Sequence, residues 1–135
     1  MRLYSSDEKL SVDVGTWSIW YSIYSTAVIK LSDNVKNKIP QALSFLKTGD
    51  CLYEDVRSTK EQFLVVINKF SSLSPTEVIW DLNKPNMAPP WGNYIAPTIT
   101  SCANLYTTAD GKDLFTEVVT LLSYAQENNV SIYAG

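Results

Sequence analysis

No histidine occurs anywhere in the 135 residues. Ser–His–Asp and Cys–His nucleophilic catalysis go with it. So do the common zinc sites, which need histidine or clustered cysteines. Glycine is scarce too. None of the five stands in a GxGxxG or GxxxxGKS pattern, which removes the usual phosphate-cradling loops. Cys51 and Cys102 are the only cysteines and lie far apart in the chain. No apolar run approaches the roughly 18 residues that span a bilayer. The opening "MRLYSSDEKL" lacks the apolar stretch of a signal peptide. These absences lead to the expectation of a cytoplasmic protein without a membrane partner. Both thiols then stay reduced, and the sequon Asn129–Val130–Ser131 has no consequence.

Cations are scarce in one half only. Residues 1–70 carry nine Lys/Arg against eight Asp/Glu, whereas residues 71–135 carry two (Lys84, Lys112) against six (Glu77, Asp81, Asp110, Asp113, Glu117, Glu127). The halves therefore hold net charges of +1 and −4, which sum to the chain's −3. An acidic half repels phosphate backbones, so a direct nucleic-acid partner is disfavoured, whereas a basic protein would be attracted and steered.

What is present reads as folded and globular, with 45% hydrophobic and 19% charged residues and one core for residues 1–135. "LSVDV" (10–14) alternates as a short strand. Residues 17–31 fit both a helix and a strand, and the three-four spacing from Trp17 to Leu31 favours the helix. Pro40 suits a first helical turn, opening a short helix over about 40–47 that stops at Gly49, after which "CLYED" reads as extended. Ser58-Thr59-Lys60-Glu61 has the form of a capping box and predicts a helix whose stripe (Phe63, Val66, Ile67, Phe70, Leu73) is widened by Leu64 and Val65. "EVIWDL" (77–82) and "CANLYTT" (102–108) read as strands, residues 112–128 as a helix, and "VSIYA" as a closing strand. The fold class predicted is α+β, a mixed and mainly antiparallel sheet covered by three to four helices.

Four features invite chemistry. Asp110, Asp113 and Glu117 share a helical face, yet an N-cap and first-turn acids explain them without a metal. Asp81 ends a predicted strand, where it either caps a turn or works with Asp110. Trp17, Trp20, Tyr21 and Tyr24 read as core. The fourth is "NMAPPWGNYIAP" (86–97), which sets Trp91 and Tyr94 among prolines in a fifteen-residue stretch, 83–97, without evident secondary structure. Such a loop is stiff, and it serves as a strap over the core or as a surface for recognition.

The ordered set Trp80-Asp81, Pro89-Pro90-Trp91-Gly92, Thr100-Ser101, Tyr106-Thr107, Gly111 and Asp113-Leu114-Phe115 resembles the immunity protein 70 family of bacterial polymorphic-toxin and contact-dependent inhibition systems. The likeness is fullest over 74–132. It implies a non-enzyme that binds the C-terminal domain of a cognate toxin in the cytoplasm, needs no cofactor or metal, and faces a toxin that in such systems is often a basic nuclease. The acidic half agrees. Chemistry alone nominates Asp81, Trp91, Tyr94, Asp110 and Asp113 as toxin-binding residues, aromatic anchors flanked by acids. Two alternatives stay open. One is a small-molecule or peptide module with the proline loop as a wall, and the other is an enzyme that gathers Asp81, Asp110 and Asp113 in one pocket.

Overall fold

Alternation in the first thirteen residues makes a hairpin. Strand β1 (Arg2–Ser5) turns Leu3 and Ser5 inward, and β2 (Ser11–Asp13) buries Val12. The computed structural model, which describes residues 1–135, pairs the two antiparallel with Leu3 opposite Val12. β3 (Ile132–Ala134) returns from the other end of the chain to the free edge of β1, again antiparallel, so the sheet runs β2–β1–β3. Sequence patterning finds β2 and β3 and misses β1, because only two of its residues face inward and one of them is a serine.

Five helices cover this sheet: α1 (Trp17–Lys30), α2 (Asp33–Lys36), α3 (Pro40–Thr48), α4 (Tyr53–Phe70) and α5 (Leu114–Asn128). Residues 17–30 are helical, as the three-four spacing predicts. Pro40 opens α3, and Gly49 closes it in the left-handed region at φ 78. A Cβ at Gly49 would lie 2.6 Å from that of Ala134, so the end of α3 can approach the sheet only with glycine there. The extended reading of "CLYED" gives way to helix. α4 begins at Tyr53, five residues before the box at Ser58, whose hydroxyl instead donates to the Asp55 carbonyl inside the helix. The chain's capping box is Ser74–Glu77, around a single 3-10 turn. Leu64 and Val65 are 46% and 40% exposed, so α4 buries one stripe and not the wider face predicted.

One cluster of 26 buried residues draws on α1, α3, α4, α5 and all three strands. Its centre is aromatic. Phe115 of α5 packs on Phe63 (5.5 Å between centroids, 86°), Phe70 and Tyr106. Trp20 meets Phe45 edge-on, and its indole N–H donates to the Phe45 carbonyl at 3.2 Å. Cys51 and Cys102 are buried thiols, the second pushed up to about 11 by burial. The architecture is α+β as predicted, with a sheet wholly antiparallel.

Two predicted strands are absent. Residues 78–82 leave the 3-10 turn as an irregular strap along α1, and residues 102–106 fold in turns, with Thr107 forming a lone bridge to Asp113. The apolar run in "EVIWDL" is real, but no sheet edge receives it and side chains satisfy its backbone instead. In "CANLYTT" the buried apolar positions are Cys102, Leu105 and Tyr106, a three-four spacing that belongs to turns.

The hairpin is tied to α5 by one long-range bond. The Tyr124 hydroxyl donates to the Asp7 carboxylate at 2.6 Å. That bond, helped by the Ser5 hydroxyl, holds the Asp7 carboxyl below the usual carboxylate range. A lowered folded pKa means stability that is present above the ordinary value near pH 4 and lost as pH falls through the lowered one. Asp7→Asn is therefore expected to lower stability at pH 7 and to flatten the loss of stability below about pH 4. Urea unfolding of both proteins from pH 2 to 7 checks this, and superimposable acid limbs would contradict it.

Candidate functional site

α1 has an unusual distribution of side chains. One stripe (Trp20, Ile23, Ala27) enters the core, while Ser22, Ser25 and Thr26 are also buried. Those hydroxyls face the strap. Ser22 donates to the Ile79 carbonyl at 2.8 Å, Thr26 accepts from the Ile79 N–H at 2.9 Å, and Ser25 accepts from the Leu82 N–H at 3.0 Å. Tyr106 sits 3.0 Å from the Ser22 hydroxyl and completes the network, its own ionisation suppressed by burial. A buried strap without a β-ladder must find such partners, because an unpaired backbone group there costs about 1–3 kcal/mol. On the other side of α1, Trp17 is 50% exposed and Tyr21 and Tyr24 are half-buried, their rings stacked at 6.2 Å and 30°.

The strap delivers the chain into the proline loop. The Asp81 carboxylate accepts from the Asn83 N–H at 2.9 Å, a local turn that fixes it. The Asn83 side chain donates to the Tyr21 hydroxyl at 3.2 Å, which sets Asp81 beside the aromatic stripe. Successive turns then close through Lys84–Asp81, Met87–Lys84, Gly92–Pro89 and Tyr94–Trp91 backbone bonds, so the loop is ordered by its own main chain. Trp91 is half-buried and meets Trp80 edge-on at 5.5 Å and 83°. Its indole nitrogen is shielded and bonds to nothing in the chain, so the ring is held by its contact with Trp80 and not by a hydrogen bond. Tyr94 is 80% exposed. Beside Trp91 lies a groove of about 470 Å³ with mostly exposed walls, open rather than enclosed. The excursion closes at its feet, where Cys102 N–H donates to the Leu73 carbonyl at 3.0 Å.

The acidic residues 110 and 113 lie elsewhere, in the turn before α5. Asp110 accepts from the Thr108 hydroxyl, which lowers its carboxyl below the usual range, and pairs with Lys112 at 3.6 Å. Asp113, predicted for the first turn, is itself the N-cap of α5 and accepts from the Thr116 N–H at 3.0 Å. Asp110, predicted as that cap, stands three residues ahead of it. The Ala109 N–H anchors this turn to the Asp13 carbonyl of β2 at 2.9 Å.

The five nominated residues thus fall into two groups. Asp81, Trp91 and Tyr94 share the proline loop, and Asp110 and Asp113 share the α5 turn. The cavity of about 310 Å³ that Asp110 lines contains neither Asp81 nor Asp113, so the three carboxylates do not converge on a reacting centre. No three His, Cys, Asp or Glu side chains are placed to hold a metal ion. Sequence reading assigned Trp17, Tyr21 and Tyr24 to the core with Trp20; Tyr24 does pack against it, but Trp17 is exposed and Tyr21 and Tyr24 are only half-buried. The spacing contains the correction: 17, 21, 24 and 20, 23, 27 are two stripes offset by about 90° at 100° per residue, and only one can face squarely inward.

These features define a small α+β protein whose nominated acids and aromatics are held by turns, a cap and ring contacts in two separate groups. The family model described as immunity protein 70 matches residues 5–133, nearly the whole length. The chain belongs to that family. It is an immunity protein against a toxin, and membership points to a non-enzymatic role. Searches of curated proteins and of solved structures gave no match. No helix is long and apolar enough to cross a membrane.

Proposed function

We propose that the chain neutralises its toxin in the cytoplasm by binding the toxin's C-terminal domain, and that this domain is a basic nuclease delivered by a neighbouring cell. The observation that carries the reading is the uneven charge. Six acids against two bases lie in residues 71–135, and the segments that bear them are ordered by caps and turns. A rigid negative surface attracts a cationic domain at long range and loses little freedom on contact.

The direct test is co-purification with the C-terminal domain of the large protein encoded by the preceding gene. A one-to-one nanomolar complex and rescue of cells expressing that domain are expected, and the absence of both binding and rescue ends the reading. Asp110→Lys refines it. Asp110 is exposed and caps nothing, so its reversal leaves α5 intact, whereas Asp113→Lys would also remove an N-cap worth about 1 kcal/mol. Stopped-flow association should slow several-fold at low ionic strength and converge with the unmodified protein near 1 M salt, where the Debye length is about 3 Å. An unchanged on-rate at low salt would remove electrostatic steering through Asp110.

A further inference from the structure

Three observations meet at one edge of α1. Trp17, Tyr21 and Tyr24 form a partly exposed aromatic ledge, in which the Tyr21 and Tyr24 rings are stacked and Tyr24 also packs against the core. Asp81 stands at the Tyr21 end of this ledge, because Asn83 bonds both the Asp81 carboxylate and the Tyr21 hydroxyl. Asp81 is also the nominated acid that remains unoccupied. Asp110 is paired with Lys112 and Asp113 caps α5, while the chain's ion pairs leave Asp81 out. One of its oxygens accepts the Asn83 N–H and the other has no partner within the chain.

We propose that this corner, the Tyr21–Tyr24 pair with Asp81, is a docking site for an arginine side chain of the toxin. The inference rests on the toxin-binding reading above and adds the place and the chemistry of one contact. A guanidinium is planar, so it lies flat on a tyrosine face while its edge N–H groups reach the carboxylate, which a compact ammonium cannot do at once. Aromatic rings with few rotors and a carboxylate already held in a turn lose little freedom on docking. The strap bonds from Ser22, Ser25 and Thr26 keep carboxylate and rings in register.

The experiment measures affinity for the C-terminal domain encoded by the preceding gene, by calorimetry at low and high salt. Asp81→Asn keeps the acceptor for the Asn83 N–H and removes only the charge, so it should fold as the unmodified protein and bind about tenfold more weakly at low salt. Tyr24→Ala should weaken binding to a similar degree, and Tyr24→Phe should restore it because the ring face is the contact. Blocking the toxin domain's arginines with butanedione should reproduce the loss, with no further loss on Asp81→Asn, while acetylating its lysines should not. Thermal melts separate weaker binding from weaker folding. Binding within twofold of normal by both Asp81→Asn and Tyr24→Ala overturns the proposal while leaving toxin neutralisation intact. Sensitivity to lysine acetylation alone overturns the choice of arginine. Failure of the unmodified protein to bind is a different result, which removes the functional reading and this contact with it.

Discussion

Phe115→Ala is expected to destabilise the protein by about 3–5 kcal/mol, a large fraction of what a domain of this size holds in reserve. The residue is 2% exposed and packs on three other rings, from α4 and from the segment that precedes α5. Truncation removes a phenyl group and opens a cavity whose walls are themselves rigid aromatics. Such walls relax little, so the cost should lie toward the upper end of the range. Phe115→Leu keeps most of the volume and should cost about 1–2 kcal/mol. Urea unfolding at pH 7 measures both. A loss below about 1.5 kcal/mol for the alanine variant would mean that Tyr106 and Phe70 collapse into the gap and that the ring cluster is not the keystone of the core.

The second large effect concerns the strap. The double substitution Ser22→Ala with Thr26→Val preserves the shape of α1 but deletes the hydroxyls that meet both backbone groups of Ile79. The Ile79 N–H and carbonyl and the Tyr106 hydroxyl would then lose partners in a buried setting, at about 1–3 kcal/mol for each stranded group and less than their sum because they share one network. A stability loss of about 2–4 kcal/mol is expected. The consequence for function should be larger than the loss of folded protein explains. A strap released from α1 no longer holds Asp81, Trp80 and Trp91 in one arrangement, and re-ordering several side chains on docking should cost at least about tenfold in toxin affinity. Hydrogen exchange should show residues 78–83 opening faster while the amides of α4 and α5 stay protected. Unchanged protection at 78–83 would show that packing alone retains the strap.

Where apolar residues decided the structure, the sequence was legible. The stripes of α4 and α5, Pro40 at the start of α3 and Gly49 at its end each follow from a local rule, and the family likeness, fullest by sequence over residues 74–132, extends over residues 5–133. Where polar partners decided it, the sequence was not. "EVIWDL" has the composition of a strand, and nothing within it reveals that serines and a threonine more than fifty residues earlier will satisfy its backbone. The capping box at Ser58 matched in form but lay inside a helix that Glu54 and Asp55 already favour in its first turn, while the functioning box sat at Ser74. The proline loop reads as ordered from its sequence, but its division of labour does not: Trp91 is turned in against Trp80, Tyr94 is turned out, and a partly exposed aromatic ledge lies on α1.

The bond that joins Cys102 to Leu73 makes residues 74–101 a cassette. Its entry and exit points are adjacent, and the interior supplies few side chains to the core cluster. A chain with joined ends can lengthen at a cost that grows only slowly, about 0.6 kcal/mol per doubling of the loop. Exchange of this stretch between relatives would thus leave the helical platform standing wherever the strap's bonds to Ser22, Ser25 and Thr26 are kept, and a new adversary could be met by substituting one contiguous stretch instead of redesigning the protein.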